Sequence, residues 1–145
     1  AEAAAICLYL AAAFPQAKLK PVAAADLADY YRFTLFAAGP LEQAVTARAL
    51  GWQVPEGRDG MAGFGSFDAT VNALEQMLTG RDYVCGKIFT AADVYVGSSV
   101  DWGLAFKSIP SWPAFEAYAE RLRSRPAYKS AKAINDARMA AAQKA

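Results

Sequence analysis

The stretch FTAADVYVGSSVDWGLAF, residues 89–106, constrains the fold more than any other part of the chain. Thr90 stands where a helix N-cap belongs. Its hydroxyl is placed to accept the backbone N–H of Asp93, and the Asp93 carboxylate to reach back to the N–H of Thr90, so that two orphan donors are satisfied at once. Phe89 and Val94 occupy the flanking positions that close a hydrophobic staple. Behind this start, Val94, Tyr95, Val96, Val100, Trp102, Leu104 and Phe106 leave almost no polar face, and a helix apolar all round is a buried one. A chain that nucleates such a helix must supply other helices to surround it.

The remaining sequence provides them. Alanine, the best helix former, is abundant, and no run alternates apolar with polar residues, so the fold class is all-α. A first helix is expected from Ala1 or earlier to about Ala13, stopped by FPQAKLKP, since Pro15 and Pro21 disfavour α geometry in the residues before them. A second begins near Val22 or Ala23, is kinked or interrupted at Gly39-Pro40, and continues to Leu50. A third spans Phe67 or Asp68 to Thr79, with Val71, Leu74, Met77 and Leu78 on one face and Gly80 at its end. After the Thr90 helix come two more, Ala114 to Ser124 and about Ala127 to Ala142, with fraying expected in the final MAAAQKA.

Charge and composition exclude several classes of function. Fifteen basic residues against 14 acidic ones, with no run of like charge, give no electrostatic footprint for nucleic acid or an anionic membrane. The longest apolar run, Ala3 to Phe14, is short of the ~20 residues that a spanning helix needs, and no basic segment precedes it as in a signal peptide. A cytoplasmic location is expected. With no histidine in the chain, imidazole acid–base catalysis and His-ligated metals are ruled out, and no metal site is expected. Cys7 and Cys85 match no metal or redox spacing and read as buried free thiols.

Three features invite a functional reading. The connection GWQVPEGRDGMAGFGS, residues 51–66, is long enough to be functional or mobile. Its glycines have the composition of a phosphate cradle, but no strand precedes it and no Lys-Ser or Lys-Thr pair follows, so it reads as a flexible connection. In the second helix the aromatics fall into two stripes, Tyr30, Phe33 and Phe36 on one and Tyr31 and Leu35 on the other, of which one can be core and the other the wall of an apolar pocket. Glu2, near a helix start, is a favourable charge on the positive end of the dipole.

Taken together, FTAADV at 89–94, EAAAICLYLAAAFP at 2–15, AGPLE at 38–42 and YAERLRSRPAY at 118–128 resemble, in order and spacing, the C-terminal helical half of bacterial glutathione S-transferases. The resemblance runs nearly end to end. It implies a helical bundle in residues 15–145, preceded in residues 1–14 by the last helix of a thioredoxin-like domain that is otherwise missing. That domain would carry the Ser, Cys or Tyr that activates the glutathione thiol. Phe89, Thr90, Asp93 and Val94 would then be a folding device and not a catalytic site, and no catalytic residue is expected in this chain.

The resemblance further implies glutathione as co-substrate, a hydrophobic electrophile as second substrate, a homodimer when full length, and an inactive chain when alone. Glu2 and Ala3 stand where the family has an acidic residue followed by Ser or Thr that bind the γ-glutamyl end; here the backbone N–H survives and the hydroxyl does not. The apolar substrate wall falls on Tyr30, Phe33 and Phe36, with Glu42 near the mouth and Trp102 and Phe106 beyond. Helical domains of this family also serve as non-catalytic assembly modules in translation factors and aminoacyl-tRNA synthetase complexes, and glutathione-dependent reductases or isomerases use the same scaffold.

Overall fold

A computed structural model describes residues 1–143. Seven α-helices follow in order: α1 Ala3–Ala13, α2 Ala24–Phe36, α3 Glu42–Ala49, α4 Phe67–Leu78, α5 Ala91–Ala105, α6 Pro113–Ser124 and α7 Pro126–Ala142. Among the described residues there is no strand, only two isolated bridges in the turn that ends at Ile88. No helix there is long and apolar enough to cross a membrane. The helix starts and stops agree with the punctuation in the sequence to within about two residues. Of the C-terminal segment expected to fray, α7 is helical through Ala142, and the last two residues lie outside the described range.

The Gly39-Pro40 interruption takes a specific form. Between α2 and α3 the chain makes one π-helical turn, Ala37–Leu41, with Pro40 inside it. Proline removes a backbone donor and crowds the preceding turn, and widening the helix for one turn relieves both. The axis therefore continues while the register slips, which keeps Ala37, Leu41, Ala44 and Ala47 on the buried side.

Helix α5 lies at the centre, against α1, α2, the π-turn and α6. Small residues make this closeness possible. A Cβ on Gly97 would overlap Leu122 Cδ1 of α6, and one on Gly103 would come within 2.8 Å of Ile109 Cγ1. Ala92, Val96 and Val100 fill the core on the same helix, with Phe115 and Tyr118 from α6 and Val71 and Leu74 from α4.

Two expectations are corrected. First, α5 is not buried on all sides: Val94, Trp102 and Phe106 are 42, 65 and 70 % exposed, because the surrounding helices leave one stripe uncovered. Second, Tyr30 and Phe33, at 1 and 2 % exposure, belong to the core and are not the free wall of a pocket, while Tyr31 and Leu35 point outward. Helix α2 presses its 30/33/37 stripe onto α5, so the stripe with the larger aromatics is the one it buries.

Burial leaves the Tyr30 hydroxyl without a hydrogen-bond partner among the described residues. Desolvation, followed by the neighbouring Tyr31, Cys7 and Cys85, pushes its pKa up to about 12. Stability linked to this group is therefore complete below the unfolded value of 10 and lost as pH rises from 10 through 12. Tyr30→Phe removes only the unpaired hydroxyl. We expect it to be neutral or stabilising by up to about 1 kcal/mol at pH 7 and to flatten the alkaline fall in denaturation midpoint. A loss of more than about 1 kcal/mol at neutral pH would mean that the hydroxyl has a partner after all.

Candidate functional site

Two clusters carry the polar and aromatic chemistry of the molecule. The first surrounds the start of α5. Thr90 and Asp93 close a capping box. Asp93 Oδ2 accepts the Thr90 N–H at 2.8 Å and the Thr90 hydroxyl at 3.0 Å, and Oδ1 accepts the Val84 N–H at 2.8 Å and the Tyr118 hydroxyl at 2.9 Å. Four donors thus converge on one buried carboxylate. Burial raises the Asp93 pKa above the usual carboxylate range, and the four hydrogen bonds work against that shift. Tyr118, desolvated and facing the carboxylate, is pushed well above its ordinary value.

Other groups lock this hub from outside. The Ala91 N–H donates to the Leu19 carbonyl at 2.8 Å, tying the segment after α1 to the α5 start. The Arg125 guanidinium lies 3.5 Å over the Phe89 ring, which also meets Tyr83 edge-on at 5.5 Å. Phe89 thus packs against the turn before it and the α6–α7 junction, whereas Val94, its expected staple partner, is exposed. No substrate could reach Asp93 here. The capping box itself is formed with the three-residue spacing of Thr90 and Asp93.

The second cluster lies along the open stripe of α5. Tyr95, Ser99, Trp102 and Phe106 share one face by helical spacing, with the Trp102 and Phe106 rings 5.3 Å apart. Tyr95 is half-buried. Its pKa is raised first by burial and then by the charges of Glu42, Glu2 and Cys7. The elements that carry Glu2 and Glu42, the start of α1 and the end of the π-turn, both pack on α5, the helix of Tyr95. The only sequence signal for Tyr95 is the seven-residue spacing to Trp102, two turns along the same face.

The other expected site residues are distributed as follows. Ala3 is exposed beside Glu2, and Phe36 is half-buried at the α2–π junction that packs on α5. Trp102 and Phe106 continue the stripe beyond Tyr95. Tyr30 and Phe33 lie behind it in the core. Among the described residues no group of His, Cys, Asp or Glu could hold a metal ion.

Residues 61–126 match the family model described as glutathione S-transferase, C-terminal domain. Over this stretch, a little under half of its length, the chain is similar to a glutathione S-transferase C-terminal domain. Several solved structures resemble it, three of which follow. A sphingomonad glutathione S-transferase complexed with glutathione is 27 % identical (TM-score 0.66; 90 % of this chain, 65 % of that one). A glutathione transferase from Methylococcus capsulatus is 24 % identical (TM-score 0.68; 88 % of this chain, 64 % of that one). A glutathione S-transferase from Actinobacillus pleuropneumoniae is 20 % identical (TM-score 0.72; 94 and 64 %), a level at which the likeness is one of fold. The chain thus spans a little under two thirds of the length of these solved structures. A comparison with functionally curated proteins finds no match.

Proposed function

We propose that this chain is the helical half of a glutathione-conjugating transferase and supplies the apolar wall against which a hydrophobic electrophile rests. The observation that carries this reading is the open α5 stripe, Tyr95 to Phe106, which leaves two large aromatic rings exposed where the family fold has its helical core. Single exposed aromatics are common, but an adjacent pair next to a half-buried tyrosine has the apolar surface and few polar groups of a ligand site. Phe36 and Glu42 complete the wall and its mouth, and the backbone at Glu2 and Ala3 faces the γ-glutamyl end of glutathione. Exposed Ile6, Tyr9 and Leu10 on α1, with Phe14 just after it, form the surface assigned to a thioredoxin-like domain.

Chemistry divides accordingly. The thioredoxin-like domain lowers the pKa of the glutathione thiol, and the helical half holds the electrophile in reach of the thiolate, so that one effect supplies nucleophile and the other proximity. In the intact protein, Trp102→Ala should raise KM for a bulky chlorinated aromatic about tenfold, worth 1.4 kcal/mol, with a smaller change for a small polar electrophile. An equal KM for both substrates in variant and parent would reject the wall and favour the reading as a non-catalytic assembly module. The 145-residue chain alone should show no turnover above the uncatalysed rate.

A further inference from the structure

The connection between α3 and α4 forms a groove that the proposed conjugation does not use. Its two walls are fixed by helix caps. On one side α3 ends in a Schellman motif: Gly51 takes φ 68°, its N–H reaches the Arg48 carbonyl at 3.2 Å, and the Trp52 N–H reaches the Ala47 carbonyl at 2.8 Å. Trp52 is thereby held at a set position although its side chain is 68 % exposed. On the other side the Ser66 hydroxyl caps α4 by accepting the Ala69 N–H at 3.2 Å, and the hydroxyl of buried Thr70 donates to the Phe64 carbonyl at 2.8 Å. The segment expected to be a flexible connection is therefore anchored at both ends.

Between the walls lies a space of about 430 Å³ lined by Trp52, Val54, Phe64, Phe67, Arg48 and Asp59. That is within the range of roughly 300–1,000 Å³ typical of small-molecule sites. The Arg48 guanidinium sits 4.1 Å over the Phe67 ring. No carboxylate lies within ion-pair distance of Arg48 among the described residues, whereas Arg81, Arg121 and Arg123 each have one. Stacking fixes the guanidinium plane while leaving its edge free to donate two parallel hydrogen bonds.

We propose that this groove binds a planar aromatic carboxylate, with its ring against Trp52, Phe64 and Phe67 and its carboxylate on the guanidinium of Arg48. Aromatic walls select a flat apolar body, and the free fork of Arg48 selects a carboxylate by charge and geometry. Asp59, also on the lining, disfavours an anion beside itself, which leaves the Arg48 guanidinium as the site for the carboxylate. The groove shares no residue with the α5 stripe, so binding here is separate from the electrophile site.

The test is calorimetric titration of the intact protein with 2-naphthoate and with its neutral analogue 2-naphthamide. Saturable binding of naphthoate is expected. Arg48→Gln, a change at an exposed position, should weaken naphthoate at least about tenfold and leave naphthamide unchanged, while Trp52→Ala should weaken both. Glutathione conjugation should be unaffected by either variant. No saturable binding at millimolar naphthoate, or equal binding by parent and Arg48→Gln, would overturn the proposal. Loss of naphthoate binding in Trp102→Ala with retention in Trp52→Ala would overturn it as well, by assigning the ligand to the α5 stripe.

Discussion

Replacing Asp93 by alanine should cost about 3–5 kcal/mol, read as a lowered denaturation midpoint at unchanged slope. A helix cap alone is worth about 1–2 kcal/mol. The larger figure follows from what the carboxylate holds together. Its removal leaves the N–H groups of Thr90 and Val84 and the hydroxyl of Tyr118 buried without an acceptor, and each unsatisfied donor costs about 1–3 kcal/mol. Asp93→Asn should be nearly as damaging, because an amide offers one oxygen to donors that now use two. Tyr118→Phe, by contrast, removes a donor and leaves the carboxylate three others, so about 1 kcal/mol is expected. If Asp93→Ala costs no more than Tyr118→Phe, the network is not cooperative and Asp93 acts only as a local cap.

That prediction also marks how far the sequence could be read. Thr90 and Asp93 are three residues apart, and a capping box is a local device whose spacing is visible in a single chain. Val84 and Tyr118 join the same carboxylate from 9 and 25 residues away. Nothing in the sequence near Tyr118 distinguishes a hydroxyl aimed at a buried acid from one more apolar position in the Phe115, Tyr118, Leu122 stripe. Helix bounds were legible for the same reason as the box, since proline, glycine and periodicity act over a few residues. The Gly39-Pro40 interruption was legible as a break but not as a π-turn, because the form of the break depends on keeping Ala37 and Leu41 on the buried side.

The candidate site shows the complementary limit. Periodicity divides α2 into two faces but is silent on which one meets α5, and the core took the Tyr30 and Phe33 face. The apolar run of α5 likewise predicted burial on every side, whereas Trp102 and Phe106 remain open. Apolar character measures what a face can bury; which face is covered depends on where neighbouring helices begin and end. The packing of α1 and the π-turn on α5 joins three separate elements, and such convergence has no local signature.

The close contact of α5 with α6 sets the other large effect, at Gly97. Alanine is favoured over glycine in a helix interior by about 1 kcal/mol, so propensity alone makes Gly97→Ala stabilising. Packing reverses the sign. The added Cβ would clash with Leu122 Cδ1, and Leu122 is itself buried, so relief requires either a change of leucine rotamer or separation of the two helices. Overpacking of a tight core costs typically 1–3 kcal/mol. Gly97→Val adds two further methyl groups at the same contact and gains less in propensity, so a net loss of about 3 kcal/mol is expected. Leu122→Ala by itself should cost about 2–5 kcal/mol through the cavity that it leaves. The two changes should compensate, because the valine methyls enter the space that the leucine vacates; the double variant should be more stable than the sum of the single losses by at least about 1 kcal/mol. Strict additivity of Gly97→Val and Leu122→Ala would show that the two residues do not compete for the same space, and would place the cause of the glycine's intolerance elsewhere on α5.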